Sequence, residues 1–152
     1  MTSMLIGLGN PQRGDDAVGL AVARRVAALE LPDVDVVEVD DPISLIDTWC
    51  DADPVVVVDA MSSRQPPGTV RAIDVTDQSL PDDGRSAGGS HALGLATAVE
   101  LSRALGRLPA RLVVVGVEVH GVSTGSELSA PVRAALDSAV SAARRGLEGG
   151  GA

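Results

Sequence analysis

Apolar runs alternate with amphipathic segments along the chain, a pattern that predicts strand–helix–strand units around a largely parallel sheet. Five runs have the length and composition of strands: residues 4–8, 34–39, 55–58, 68–74 and 112–119. The third run consists of four consecutive valines. Because β-branched residues without polar alternation are typical of strands covered on both faces, we expect this strand at the centre of the sheet.

Segments of helical length separate these strands. They cover residues 16–29, 43–50, 92–105 and 130–147. The elements together predict an α/β fold, a three-layer sandwich with a mostly parallel, twisted central sheet and helices on both faces. We expect a single domain over residues 1–152, with residues 149–152 as a disordered tail.

The composition limits the classes of partner. The chain has 152 residues, a formal net charge of −9, one tryptophan and neither tyrosine nor phenylalanine. Single-stranded nucleic acid is bound largely by stacking on aromatic side chains, and phosphate backbones and anionic lipids attract basic proteins. We therefore expect no nucleic-acid partner and no membrane partner.

Cysteine usage and the start of the sequence bear on the compartment. The one cysteine, Cys50, cannot form an internal disulfide, and we expect it to be a buried small apolar residue. No basic segment followed by an apolar stretch opens the sequence. The sequence predicts a reduced, cytoplasmic protein, and we expect a monomer.

Three polar residues stand where a parallel sheet would bring them to one edge. Asp16 lies at the first strand-to-helix junction, and Asp59 directly follows the valine strand. His91 stands between a long polar loop, residues 77–90, and the next helix. In open parallel sheets, ligands bind outside the carboxyl ends of the strands. We therefore expect the three side chains to converge at that edge.

The chemistry of these residues suits a metal. One imidazole and two carboxylates are ligands for nickel, zinc or a similar ion and leave coordination positions open. His91 at a helix N-terminus faces the positive end of the helix dipole, which favours the neutral imidazole that binds metal. Structural interpretations stay open, because Asp15 or Asp16 can cap the first helix and His91 can be merely solvated.

Two other motifs have weaker cases. Gly7-Leu8-Gly9 begins like a dinucleotide-binding fingerprint, but Gln12 occupies the place of the third glycine. The sequence around Ser123 matches G-x-S-x-G, although the histidine that serves a nucleophile elbow comes later in the chain. Both histidines, His91 and His120, precede Ser123. We interpret this second motif as a glycine-rich turn and His120 as a structural or surface residue.

Six stretches carry a resemblance to a known family. They are Gly7-Leu8-Gly9-Asn10, Gly14-Asp15-Asp16-Ala17-Val18-Gly19, Val55-Val56-Val57-Val58-Asp59-Ala60, Ser90-His91-Ala92-Leu93-Gly94-Leu95, Gly116-Val117-Glu118 and Leu128-Ser129-Ala130-Pro131. In this order and spacing the chain resembles the hydrogenase maturation endopeptidases, from about Met4 into the last helix. That family usually has glycine where Ala17 stands, so a positive φ at this position would force the first loop to shift.

The resemblance implies an activity and a site. Such enzymes remove a short C-terminal peptide from the large-subunit precursor of a nickel–iron hydrogenase after nickel has been inserted. The metal-contacting positions of the family fall on Asp16, Asp59 and His91, which would be the catalytic and metal-binding residues of an aspartic or metal-dependent endopeptidase. The nickel is expected to arrive with the substrate and not to be held at rest.

Other functions stay open on the sequence alone. The main alternative is a non-catalytic chaperone that senses metal or precursor without cutting. A serine esterase or amidase using Ser123 is a further one. The opening Gly7-Leu8-Gly9-Asn10-Pro11 string is also similar to the start of peptidyl-tRNA hydrolases, but the acidic charge and the missing basic motif make that function a poor fit.

Overall fold

The computed structural model describes residues 2–10, 14–76, 78–80, 91–119 and 127–148, and for residues 15, 16 and 91–93 it describes the backbone alone. The strands are β1 Ser3–Leu8, β2 Val34–Val39, β3 Val55–Met61, β4 Val70–Asp74 and β5 Leu112–Glu118. The α-helices are α1 Val18–Ala28, α2 Leu45–Thr48, α3 His91–Leu105, α4 Ala130–Ala134 and α5 Leu136–Leu147. Short 3₁₀ turns, Gly14–Ala17 and Pro42–Ser44, precede α1 and α2.

The five strands form one sheet in the order β2-β1-β3-β5-β4. β1 pairs in parallel with β2 and β3, and β3 pairs in parallel with β5. β4 pairs antiparallel with β5 at the edge. The valine run lies in β3, in the middle of the sheet, and is fully buried. The predicted α/β fold with a mostly parallel central sheet is confirmed.

Helices cover both faces of the sheet, because successive side chains of a strand point to opposite sides. On one face, Val56 and Val58 pack in a core cluster with α1 and α5. On the other face, Val55 and Val57 pack in a second cluster with α2 and α3. The central strand is therefore apolar on both sides, and it needs no polar alternation.

The contact between α1 and the sheet depends on two glycines. A Cβ on Gly7 would lie 2.4 Å from the carbonyl oxygen of Gly19, and a Cβ on Gly19 would lie 2.3 Å from the carbonyl oxygen of Val58. Backbone therefore meets backbone here, and no side chain fits between them. This close approach fixes the start of α1 against the ends of β1 and β3.

Several boundaries differ from the sequence-based prediction. β3 continues through Met61, so Asp59 lies inside the strand and does not follow it. The last predicted helix is two helices, α4 and α5, with Ala135 between them. Cys50 is exposed just beyond the end of the short α2, so the prediction of a buried cysteine was wrong. The predicted tail at residues 149–152 lies outside the described residues.

Arg103, near the end of α3, attaches this helix to the amino edge of the parallel strands. Its guanidinium donates hydrogen bonds to the carbonyl oxygens of Val75, Thr76 and Gln78 at 2.9, 2.8 and 3.0 Å. The Thr76 hydroxyl in turn accepts from the backbone N–H of Leu112, the first residue of β5. The C-terminal end of α3 thus lies at the amino edge of the parallel strands. Within the described residues, no helix is long and apolar enough to span a membrane.

Replacing Gly19 by alanine should destabilise the fold by about 1–3 kcal/mol, because the new methyl group meets backbone atoms of two strands that cannot move independently. Gly146→Ala is a matched control, since the three nearest atoms to its new Cβ all belong to side chains, a methyl of Val56 at 2.7 Å and two atoms of Val113 at 3.6 Å. Urea unfolding of both variants measures the difference. Equal losses would contradict the packing described for Gly19.

Low pH should lower the stability of the fold, in part through protonation of Asp74. Burial alone would raise the pKa of this carboxyl, but hydrogen bonds from Thr76 and the charge of Arg111 lower it below the ordinary value of 3.8. The Asp74 carboxyl therefore binds a proton less tightly in the folded state than in the unfolded chain. The resulting stability is present above pH 3.8 and is lost as the pH falls through the folded-state pKa. Below that pH, the free energy of unfolding of Asp74→Asn should fall less steeply with decreasing pH than that of the wild type. Equal slopes for the two proteins would contradict this.

Candidate active site

The strand order creates a crevice between β1 and β3. The chain leaves β1 for α1 and β2 on one side, then returns over β1 to β3 on the other side. This reversal is a topological switch point, where open α/β sheets bind ligands outside the carboxyl ends of the strands. Asp16 follows β1 and Asp59 lies in β3, so the two acids belong to the strands that flank the crevice.

Asp59 is a buried carboxylate near the carboxyl end of β3. Its side chain is on the α3 face, because it alternates with Val58 and Ala60, which pack on the opposite face. The residue is 3% exposed, and its Oδ1 accepts a hydrogen bond from the N–H of Ala60 at 2.8 Å. A carboxylate in such a place is costly, and buried acids in a crevice are frequent at functional sites.

The turn that carries Asp16 packs against the central strand. This turn, Gly14–Ala17, contacts β3 and leads directly into α1. Gly14 has a φ of 53°, a left-handed conformation that favours glycine, whereas Ala17 has a φ of −92°. Alanine at position 17 is therefore unstrained, and the first loop needs no shift. Ala17 is also the N-cap of α1, so neither Asp15 nor Asp16 occupies that position.

The N-terminus of α3 lies at the same edge of the sheet. His91 is the first residue of α3, whose other end is fastened at the amino edge by Arg103. One turn into the helix, Gly94 packs on Pro42, because a Cβ on Gly94 would lie 2.9 Å from the proline Cγ. Pro42 follows the carboxyl end of β2. The backbone of His91 is therefore at the carboxyl edge, as are Asp59 and the turn of Asp16.

The sequence-predicted residues thus share an edge. The side chains of Asp16 and His91 are outside the described part of the structure, so their meeting with Asp59 stays a prediction. Among the side chains that are described, no group of three or more potential metal ligands occurs. Ser123 and His120, which belong to the alternative hydrolase motif, and most of the predicted loop at residues 77–90 also lie outside the described residues.

Sequence reasoning did not single out Glu118 as a site residue. Glu118 ends β5, is 1% exposed, and accepts hydrogen bonds from the backbone N–H and the hydroxyl of Ser63. The available signal was the same as for Asp59, an acid next to a run of apolar residues in the sequence. The partner, Ser63, is 55 residues away in the sequence and could not be inferred from spacing.

A family model gives independent information on this fold. The HycI model of hydrogenase maturation proteases matches residues 22–145. The chain belongs to the hydrogenase maturation protease family. The matched range includes Asp59, His91 and Glu118, whereas Asp16 precedes it.

Individual members of the family are similar over nearly the whole chain. The hydrogenase 2 maturation protease of Escherichia coli K12 is 29% identical over 149 aligned positions, and the match covers 92% of this chain and 87% of that protein. The structure of the E. coli hydrogenase maturating endopeptidase HybD has a TM-score of 0.79 at 28% identity, covering 99% of this chain and 94% of that one. A solution structure of an E. coli endopeptidase has a TM-score of 0.77 at 27% identity, with coverage of 99% and 94%.

If Asp59 serves ligand binding in this hydrogenase maturation protease, Asp59→Asn should leave the melting temperature unchanged or raise it. The asparagine keeps the size and the acceptor for Ala60 but removes a buried charge. Ser102→Ala is the contrasting variant, because Ser102 is fully buried and accepts the indole N–H of Trp49 at 3.1 Å. Its loss leaves a buried donor unpaired and should cost about 1–3 kcal/mol. An equal loss in Asp59→Asn would indicate a structural role for the aspartate.

Proposed function

We propose that this hydrogenase maturation protease removes the C-terminal extension from the large-subunit precursor of a nickel–iron hydrogenase. Nickel already inserted into the precursor docks on Asp16, Asp59 and His91. The observation that carries the proposal is the buried carboxylate of Asp59 at the switch-point edge of a chain that belongs to this family. The E. coli relatives, named as a hydrogenase 2 maturation protease and as the hydrogenase maturating endopeptidase HybD, support the same substrate class.

The donor set fits this role. Two carboxylates and one imidazole bind borderline divalent ions such as nickel and leave positions for ligands from the precursor. Asp59 is held by a central strand and by its hydrogen bond from Ala60, so its carboxylate is oriented before any substrate arrives. The turn of Asp16 and the first turn of α3 supply the other two donors from separate elements. Three donors from three elements fix the position of an ion more closely than one flexible loop can.

Docking through the metal determines which peptide bond of the precursor is cleaved. When the three side chains fill the open positions on the nickel, one peptide bond of the precursor is placed beside the ion. The metal then acts as a Lewis acid on the scissile carbonyl or on a bound water. The protein contributes the orientation of the scissile peptide bond relative to the ion. The enzyme is therefore of a metal-dependent type in which the metal belongs to the substrate.

This arrangement also provides a checkpoint. A precursor without nickel lacks the group that the three side chains recognise, so it does not place its cleavage site correctly. On this proposal the protease keeps no nickel at rest and acts as a cytoplasmic monomer on a single class of precursor.

The decisive experiment compares three variants, Asp16→Asn, Asp59→Asn and His91→Ala, on nickel-loaded precursor, with products weighed by mass spectrometry. Each substitution should lower the cleavage rate at least about a hundredfold. Even the loss of a residue that only orients a metal ligand typically lowers metal affinity or activity by about 10–100-fold. Asp137→Asn is the matched control. Asp137 lies on α5, on the opposite face of the sheet from Asp59, and is exposed in an ion pair with Arg25.

A second arm uses nickel-free precursor, which the wild-type enzyme should leave uncut. Full processing by all three variants, or equal cleavage of loaded and nickel-free precursor, would contradict the proposal. Tight binding of loaded precursor by wild type without any cleavage would indicate a sensing chaperone.

A further inference from the structure

Two buried acids lie close together near the carboxyl edge. Among the described residues, the acidic side chains that are buried are Asp59 and Glu118. Glu118 is on the α3 face like Asp59, because it alternates with Val117 and Val119, which pack on the other face. Asp59 pairs with Gly116, and Met61 pairs with Glu118. The two acids are therefore diagonal neighbours on adjacent strands, with Cα atoms roughly 8 Å apart from the strand spacing and rise.

Met61 separates the two carboxylates. A Cβ on Gly116 would lie 2.2 Å from the Met61 sulfur. The thioether of Met61 therefore lies over Gly116, across the line that joins Asp59 and Glu118. The methionine side chain fits only because position 116 is glycine. Asp59 and Glu118 are therefore separated by the thioether, although they are diagonal neighbours on the same face.

Glu118 fastens the connection between β3 and β4, residues 62–69, which we call the rim loop. Near the start of the loop, the Glu118 carboxylate accepts the N–H of Ser63 at 2.7 Å and the Ser63 hydroxyl. Near its end, the backbone N–H of Gly68 donates to the carbonyl oxygen of Glu118, and the N–H of Glu118 donates to Thr69, both at 2.8 Å. One buried residue therefore holds both ends of the loop.

The rim loop has a defined conformation at the carboxyl edge. It begins directly after Met61, two residues beyond Asp59, at the carboxyl edge. Arg64 has a φ of 67°, which non-glycine residues adopt only where their surroundings impose it. Gly68 lies against the backbone of Pro131 at the start of α4, because a Cβ there would be 2.6 Å from the proline oxygen. The loop is thus held from β5 and from α4.

We propose that Glu118 is a positioning residue that, through Ser63, holds the rim loop as a fixed docking surface for the precursor segment next to the nickel. This inference rests on the proposed function and deepens it. Glu118 touches no reacting atom on this proposal. It affects how well the precursor binds and has little effect on the rate of the bound complex.

The experiment uses Glu118→Gln, Ser63→Ala and the double variant of the full chain. Glutamine keeps the size of the side chain but cannot accept from Ser63 with both of its terminal atoms. Glu100→Gln is the matched control, since Glu100 is an exposed acid on α3 whose partner is Arg103. Limited trypsin digestion measures the rate of cleavage after Arg64, and steady-state kinetics on nickel-loaded precursor measure kcat and KM.

Glu118→Gln and Ser63→Ala should both speed trypsin cleavage after Arg64 relative to wild type and to Glu100→Gln. Both should raise KM roughly tenfold with little change in kcat, the pattern expected when only substrate binding is lost. The double variant should be no worse than the poorer single variant, because the two residues act through one contact.

Two results would overturn the inference. Unchanged trypsin cleavage would mean that Glu118 does not hold the rim loop, and faster cleavage with unchanged KM would mean that the loop does not receive the precursor. If Glu118→Gln does not fold, Ser63→Ala decides alone, because it removes one hydroxyl from a half-buried position. If wild type binds the precursor but does not cut it, the proposed activity fails, and the same variants are then compared by the Kd for loaded precursor.

Discussion

The burial of the Asp59 carboxylate in the central strand is the constraint on which the site depends. The surrounding positions of β3 are valine, alanine and methionine, which provide core packing. A hydrogen bond from the N–H of Ala60 orients the carboxylate. On the proposed function, this carboxylate is one of three ligands for the nickel ion that the precursor carries.

The rest of the fold places other groups around that charge with little freedom of movement. Gly7 and Gly19 let α1 approach the sheet backbone to backbone, which sets where the turn of Asp16 ends. Gly94 packs on Pro42 and places the first turn of α3 at the same edge. On the remaining side, Glu118 fastens the rim loop through Ser63. Three segments at the carboxyl edge are thus held by close contacts of glycine, proline and a buried acid, which do not adjust easily.

Much of this architecture could be predicted from the sequence, because periodicity and burial are strongly coupled in α/β proteins. Four consecutive valines indicated a central strand, and the alternation of strands and helices indicated the parallel sheet and its carboxyl edge. The antiparallel direction of β4 could not be predicted, since a short strand of mixed character fits either direction. Cys50 was assigned to the core from its residue type, but the end of a short helix left it exposed. Asp59 was found as an acid in an apolar run, whereas the bond between Glu118 and Ser63 depends on strand register, which local pattern does not reveal.

The most direct test is to soak crystals with nickel or cadmium at millimolar concentration and to locate the ion. The account predicts one ion in the crevice between β1 and β3, bound at once by Asp16, Asp59 and His91 at roughly 2.0–2.3 Å. An ion bound elsewhere, or none at that concentration, would contradict the claim that these three side chains form the metal-docking site.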